Sequence, residues 1–105
     1  MRPWRRRRFE GLVARQLELF AEDEAELLRE AAERDAAWTS APAERAEELY
    51  GEYQDVVDAI GERLYDVREA YAATLGERQA AEYRAAFDRA AVRRFRRYAA
   101  FLEAE

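Results

Sequence analysis

The fold of this chain is decided by residues 43–75, AERAEELYGEYQDVVDAIGERLYDVREAYAATL. In this stretch apolar and small residues recur at alternating steps of four and three, which is the heptad pattern of a long helix that packs along one side. The predicted seam consists of Ala46, Tyr50, Tyr53, Val57, Ile60, Leu64, Val67, Tyr71 and Thr74. The opposite side of the same helix carries the acidic residues Glu48, Asp55, Glu62, Asp66 and Glu69. We therefore expect one long helix with a buried seam and an acidic side that faces water.

Two further helices are predicted, one on each side of this central helix. Residues 9–37 and 77–103 both carry apolar residues at helical spacing. Pro42 separates the first helix from the second, because a proline disfavours helical backbone in the residue before it. Gly76 follows the seam and is expected to end the central helix in a left-handed conformation.

The short connections between these helices place successive helices antiparallel. The chain is therefore predicted to be all-α, an antiparallel up-down-up three-helix bundle with long helices and coiled-coil-like packing over residues 9–105. Residues 1–8 lack apolar periodicity and are predicted to be a flexible basic arm. No apolar run approaches the roughly 20 residues that a membrane span requires, so the chain is expected to be cytoplasmic.

The composition excludes several classes of active site. The 105 residues include no His and no Cys. Disulfides, Cys or His metal sites, Cys nucleophiles and His acid–base catalysis are therefore ruled out. Helical bundles can hold two-metal carboxylate centres, but those centres also use Glu-x-x-His pairs. We expect no enzymatic activity and no cofactor, with a carboxylate-bundle metal protein kept as a lesser alternative.

Charge is distributed unevenly along the chain, although the net charge is only −5. Residues 1–15 carry six Arg and one acid, whereas residues 16–62 carry three Arg and fifteen acids. The Arg-rich end of the third predicted helix is expected to lie level with acidic residues at the end of the first helix and the start of the second. That end contains Arg89, Arg93, Arg94, Arg96 and Arg97.

The basic arm places one indole beside several guanidinium groups. Its candidate binding residues are Arg2, Trp4, Arg5, Arg6, Arg7 and Arg8. Such a segment can bind nucleic acid, an anionic membrane surface or an acidic protein. It can also fold back on the acidic body of its own chain, so four interpretations stay open.

Two pairs of residues occupy unusual positions on the predicted helices. Glu24 and Arg94 lie on apolar arcs and are level along the bundle, which makes them a candidate buried ion pair. The alternative is that both lie at the edge of the arc and reach water. Leu12 and Leu19 are a heptad apart on the side of the first helix that faces away from the core. They are a candidate self-association strip, although isolated exposed Leu residues are ordinary.

These features predict a non-enzymatic helical protein-interaction or structural module that acts through self-association or through a partner protein. A homodimer is expected, because two-fold pairing would bury the Leu strip against its copy. The alternative is a nucleic-acid-binding accessory protein that uses the Arg-rich arm.

Overall fold

The structure, a computed structural model, describes residues 8–103 of the chain. These residues form no strand, and their helices are α1 (Glu10–Asp23), α2 (Ala25–Thr39), α3 (Ala43–Ala72), α4 (Glu77–Arg94) and the one-turn α5 (Ala100–Glu103). The all-α prediction is confirmed. The number of helices differs from the predicted three, because the first and third predicted helices are each interrupted. The molecule measures 53 by 25 by 24 Å, and α3 spans most of its length at about 1.5 Å per residue.

The first predicted helix, 9–37, is divided at Glu24. Its backbone has φ −105° and ψ 23°. The N–H of Glu24 nevertheless donates to the carbonyl of Phe20 at 2.9 Å, and the carbonyl of Glu24 accepts from Leu28 at 2.9 Å. The chain therefore bends at one residue without forming a loop. The local sequence contains no Gly or Pro that would predict the bend. The bend divides the chain into α1, which packs on α4, and α2, which packs on α3.

Ion pairs show that α2 and α3 run in opposite directions. Arg34 of α2 pairs with Glu52 of α3. Glu24, at the start of α2, pairs with Arg63, which lies further along α3. Residue numbers therefore rise along one helix while they fall along its partner, as in an antiparallel hairpin.

Ring contacts show that α1 and α4 run in the same direction. The centroid of the Phe9 ring lies 5.6 Å from that of Tyr83, and the centroid of the Phe20 ring lies 5.5 Å from that of Phe95. Both pairs meet edge to face, which is a favourable arrangement for aromatic rings. Because Tyr83 is completely buried, these contacts form part of the core.

The buried side of α3 follows a different course from the predicted heptad seam. Its buried side chains, spaced by three and then repeatedly by four, include Tyr53, Val56, Ile60, Leu64, Arg68 and Ala72. Each step of four residues advances the buried side by about 40°, so it winds around α3 from α2 toward α4. Tyr50, a predicted seam residue, is 45% exposed as a result. Val57, Val67 and Tyr71 are only partly buried.

The third predicted helix, 77–103, ends early at Arg94. Phe95 has φ −126° and ψ 50°, and the chain turns there before α5. This turn buries the apolar side chains of Phe95, Ala99 and Leu102, and α5 packs on α3. Removing these three side chains from water favours the turn over a continuous helix.

The connection between α3 and α4 also differs from the prediction. Helix α3 ends at Ala72 rather than at residue 75. Gly76 has φ −69° and ψ 162°, which is extended backbone immediately before α4. The predicted left-handed cap is therefore not formed.

Candidate interaction surface

The predicted buried ion pair between Glu24 and Arg94 is not formed. Glu24 pairs with Arg63 of α3 instead, and its side chain is 21% exposed. Arg94 is exposed, with its guanidinium carbon 5.5 Å from the centroid of the Phe95 ring. The physical reason is the bend at Glu24. Helix α1 ends just before this residue, so Glu24 no longer follows the apolar arc that Leu17 defines.

A buried charge lies elsewhere, at Arg68 of α3. Arg68 is 2% exposed, and its Nη1 donates to both carboxylate oxygens of Asp88 on α4 at 2.9 and 3.1 Å. Its Nε donates to Glu69 at 2.9 Å. Hydrogen bonds from Arg84, with smaller contributions from Arg68, hold the pKa of Glu69 below its ordinary value despite partial burial. The sequence contained a signal for this site, because Arg68 lies one helical turn after the buried Leu64.

One tyrosine ties α4 to α1 through a hydrogen bond. The hydroxyl of Tyr83 donates to Oε1 of Gln16 at 2.8 Å. Burial raises the pKa of Tyr83 to about 12. Like the contacts of Arg68, this bond lies inside the bundle and joins helices, so it has a structural role.

The predicted Leu strip on the first helix is not a continuous exposed surface. Leu12 is partly buried and packs against the core, whereas Leu19 is 40% exposed. The neighbouring α4 lies along α1, which widens the covered part of α1 beyond the predicted arc. A single exposed Leu is common on protein surfaces and does not by itself mark an interface.

Most candidate residues of the basic arm lie outside the part of the chain that the structure describes. These are Arg2, Trp4, Arg5, Arg6 and Arg7. Arg8 is described, and its Nη1 lies 3.7 Å from a carboxylate oxygen of Glu82 on α4. Both side chains are well exposed, at 44% and 39%. An exposed pair at this distance contributes little to stability.

The outer side of α3 is strongly acidic. We define the acidic face of α3 as its exposed carboxylates, which are Glu44, Glu47, Glu48, Asp55, Asp58, Glu62 and Asp66. The exposed arginines of this helix are already paired, Arg45 with Glu48 and Arg63 with Glu24. Among residues 8–103, Glu48 is the only member of the acidic face in an ion pair. Glu69, predicted for the same side, is instead partly buried and bound to Arg84.

Helix α4 and the turn that follows it carry the opposite charge. We define the arginine face of α4 as the exposed residues Arg78, Arg89, Arg93 and Arg96. Arg78 and Arg89 are eleven residues apart, which places them within about 20° of each other around the helix. The last three arginines line a groove of about 590 Å³ together with Val92 and Asp88.

The arginine face has no acidic partner among the described residues of its own chain. Asp88, which lines the same groove, is already paired with Arg68. The sequence predicted that the Arg-rich end of the third helix would lie level with acidic residues. Arg97 of that segment does pair with an acidic residue, Asp35, at 2.6 Å. Arg89 and Arg93 are one turn apart, and like charges at this spacing repel each other. The face is therefore suited to receive an anionic group from another molecule.

A second groove, of about 490 Å³, lies between α3 and the segment before α5. Its lining includes Tyr50, Tyr53, Tyr98 and Arg97. The hydrogen bond to Asp35 raises the pKa of Arg97, and burial raises that of Tyr98. Because the Arg97 charge is already balanced by Asp35, this groove is less electropositive than the arginine face.

Comparison with known proteins assigns no family to the chain. No protein-family model, curated protein or solved structure matches it. Within the part of the chain that the structure describes, no helix has the length and apolar character needed to cross a bilayer. The same residues contain no group of three or more acidic side chains arranged to hold a metal ion.

Proposed function

We propose that this chain is a non-enzymatic helical protein-interaction module that binds an acidic protein surface through the arginine face of α4. The observation that carries this proposal is the exposure of four arginines without an ion-pair partner among the described residues. The chain has 23 acidic residues against 18 basic ones, so carboxylates are abundant. The isolation of these arginines therefore leaves a concentrated positive surface on an acidic molecule.

The chemistry of arginine supports a protein partner. A guanidinium group is planar and can bind a carboxylate through two parallel hydrogen bonds. Arginine is also enriched in protein–protein interfaces. Val92 adds an apolar contact within the same groove. A helix that presents acidic residues at one-turn spacing would match Arg89 and Arg93.

A nucleic-acid-binding accessory protein that uses the Arg-rich arm is the second candidate. The exposed arginines of α4 favour this alternative, because they would add phosphate contacts to those of the arm. The acidic face of α3 disfavours it, because its carboxylates repel phosphates at short range. Because of this repulsion, we rank binding to an acidic protein above binding to nucleic acid.

The proposal is tested by measuring binding to labelled poly-L-glutamate and to a short DNA duplex in the same buffer. We expect the chain to bind the polyglutamate, and Arg89→Glu with Arg93→Glu to abolish that binding. Substituting Arg15 and Arg29 by Glu changes the net charge equally and should have much less effect. Binding that survives the face substitutions would overturn the proposal.

A second pair of measurements separates the arginine face from the arm. Replacing Arg5, Arg6 and Arg7 by Gln should leave most of the polyglutamate binding intact. If these substitutions remove binding to DNA, and DNA is bound more tightly than polyglutamate, the second candidate is correct. Such binding should weaken steeply with added salt.

Three earlier predictions remain proposals. We propose coiled-coil-like packing, a homodimer and a cytoplasmic location, and the last two have direct measurements. Sedimentation addresses the homodimer and fractionation of cells addresses the location. A carboxylate-bundle metal protein would retain iron or manganese after dialysis, which elemental analysis would detect.

A further inference from the structure

We propose that the acidic surface bound by the arginine face is the acidic face of α3 on a second copy of this chain. This inference rests on the proposed function and names its partner. The two faces carry opposite charge, and all their members are exposed. One molecule therefore presents both halves of a complementary interface.

The charges inside one chain do not satisfy these two faces. Within the described chain, the ion pairs between α3 and α4 join Arg68 to Asp88 and Arg84 to Glu69. Arg93 and the acidic residues of α3 remain exposed outside these pairs. Contact between the faces therefore requires a second molecule.

The spacing of charges on the two helices matches. Arg78, Arg89 and Arg93 are separated by eleven and four residues, and the acidic face has the same separations in Glu47, Asp58 and Glu62. The first and last residues of each set are fifteen positions apart, or roughly 22 Å at the helical rise. With α4 of one copy parallel to α3 of the other, three arginines meet three carboxylates in a single register.

The predicted contact is weak and sensitive to salt. Its charges lie on exposed side chains, where ions screen them beyond about 10 Å at 0.1 M salt. Exposed ion pairs contribute little individually, so several must act together. We expect self-association at hundreds of micromolar protein in dilute buffer and its loss in concentrated NaCl.

Charge reversal tests which faces meet. Sedimentation of the full chain in dilute buffer should show species of at least twice the 12.3 kDa monomer mass. Arg89→Glu with Arg93→Glu should weaken self-association by about tenfold per reversed residue, and Asp58→Arg with Glu62→Arg should act likewise. An equimolar mixture of the two variants should associate again, because each retains the face that the other has lost. Failure of the mixture to associate would overturn the inference.

Cross-linking tests the register, because the chain contains no Cys. Chains with Asp58→Cys and chains with Arg89→Cys, one of them carrying a mass tag, are mixed and mildly oxidised. The mixed disulfide dimer should form readily, as should the dimer of Glu47→Cys with Arg78→Cys. The off-register mixture of Glu47→Cys with Arg89→Cys should cross-link much less. Equal cross-linking in all three mixtures would refute the register.

The outcomes distinguish this inference from the proposed function. A full chain that stays monomeric in dilute buffer but binds polyglutamate through Arg89 and Arg93 would overturn self-association and support another acidic partner. A chain that self-associates without dependence on either face would overturn the inference, and the polyglutamate measurement would still decide the proposed function. A chain that stays monomeric and binds DNA through the arm more tightly than it binds polyglutamate would overturn both.

Discussion

The buried charge of Arg68 can be tested by changing each member of its ion pair. Arg68 is 2% exposed, whereas the side chains of Asp88 and Glu69 are 34% and 28% exposed. We expect Asp88→Ala to destabilise the fold more than Arg68→Met does. The first change leaves a guanidinium buried beside one fewer carboxylate, whereas the second leaves carboxylates that water can reach.

The exposures set the expected magnitudes. Removing one partner of a fully buried pair costs roughly 3 to 5 kcal/mol of unfolding free energy. For Asp88→Ala we expect about 3 kcal/mol, because Glu69 still contacts Arg68. For Arg68→Met we expect about 1 to 2 kcal/mol, since Met retains most of the aliphatic volume. The double variant should lose less unfolding free energy than the two single variants do in sum, by at least about 2 kcal/mol. In the double variant both charges are gone, so neither is left without its partner.

The measurement is urea unfolding followed by far-UV circular dichroism at neutral pH for the four members of this cycle. The slope of free energy against urea should stay constant, so that midpoints report stability. Additive effects of Arg68→Met and Asp88→Ala would refute the pairing. An Arg68→Met variant less stable than Asp88→Ala would refute the unequal burial of the two side chains.

The other predictions concern the core, the alkaline limit of stability and the corrected ion pair. Ile60→Ala should cost about 2 to 5 kcal/mol in urea unfolding, whereas Glu62→Ala should cost well under about 1. Equal costs would contradict the assignment of Ile60 to the buried side of α3 and of Glu62 to its exposed side. Because burial raises the pKa of Tyr83 from 10.0 to about 12, this group stabilises the fold below pH 10.0, and about 2 to 3 kcal/mol should be lost as the pH rises to about 12. Tyr83→Phe should remove that part of the alkaline loss in a pH titration of stability, and an unchanged profile would exclude Tyr83 as its source. Glu24→Ala should cost less than about 1 kcal/mol, as expected for a partly exposed pair, and a larger loss would indicate a buried partner.

The sequence by itself determined the helical class and the central helix. Apolar residues at helical spacing over residues 43–75 leave little alternative to a long amphipathic helix, which the structure has as α3. The proline at position 42 and the glycine at position 76 also marked the turns on either side. Local periodicity was sufficient here because it depends on the geometry of a single helix.

The tertiary structure decided which side of each helix is covered. The bend at Glu24 has no Gly or Pro signal, and it separates the part of the chain that packs on α4 from the part that packs on α3. The burial of Arg68 similarly depends on Asp88, twenty residues later in the chain. The exposure of Arg89 and Arg93 depends on where acidic side chains from other helices are placed. These outcomes are contacts between distant residues, and helical periodicity carries no information about which neighbour supplies them.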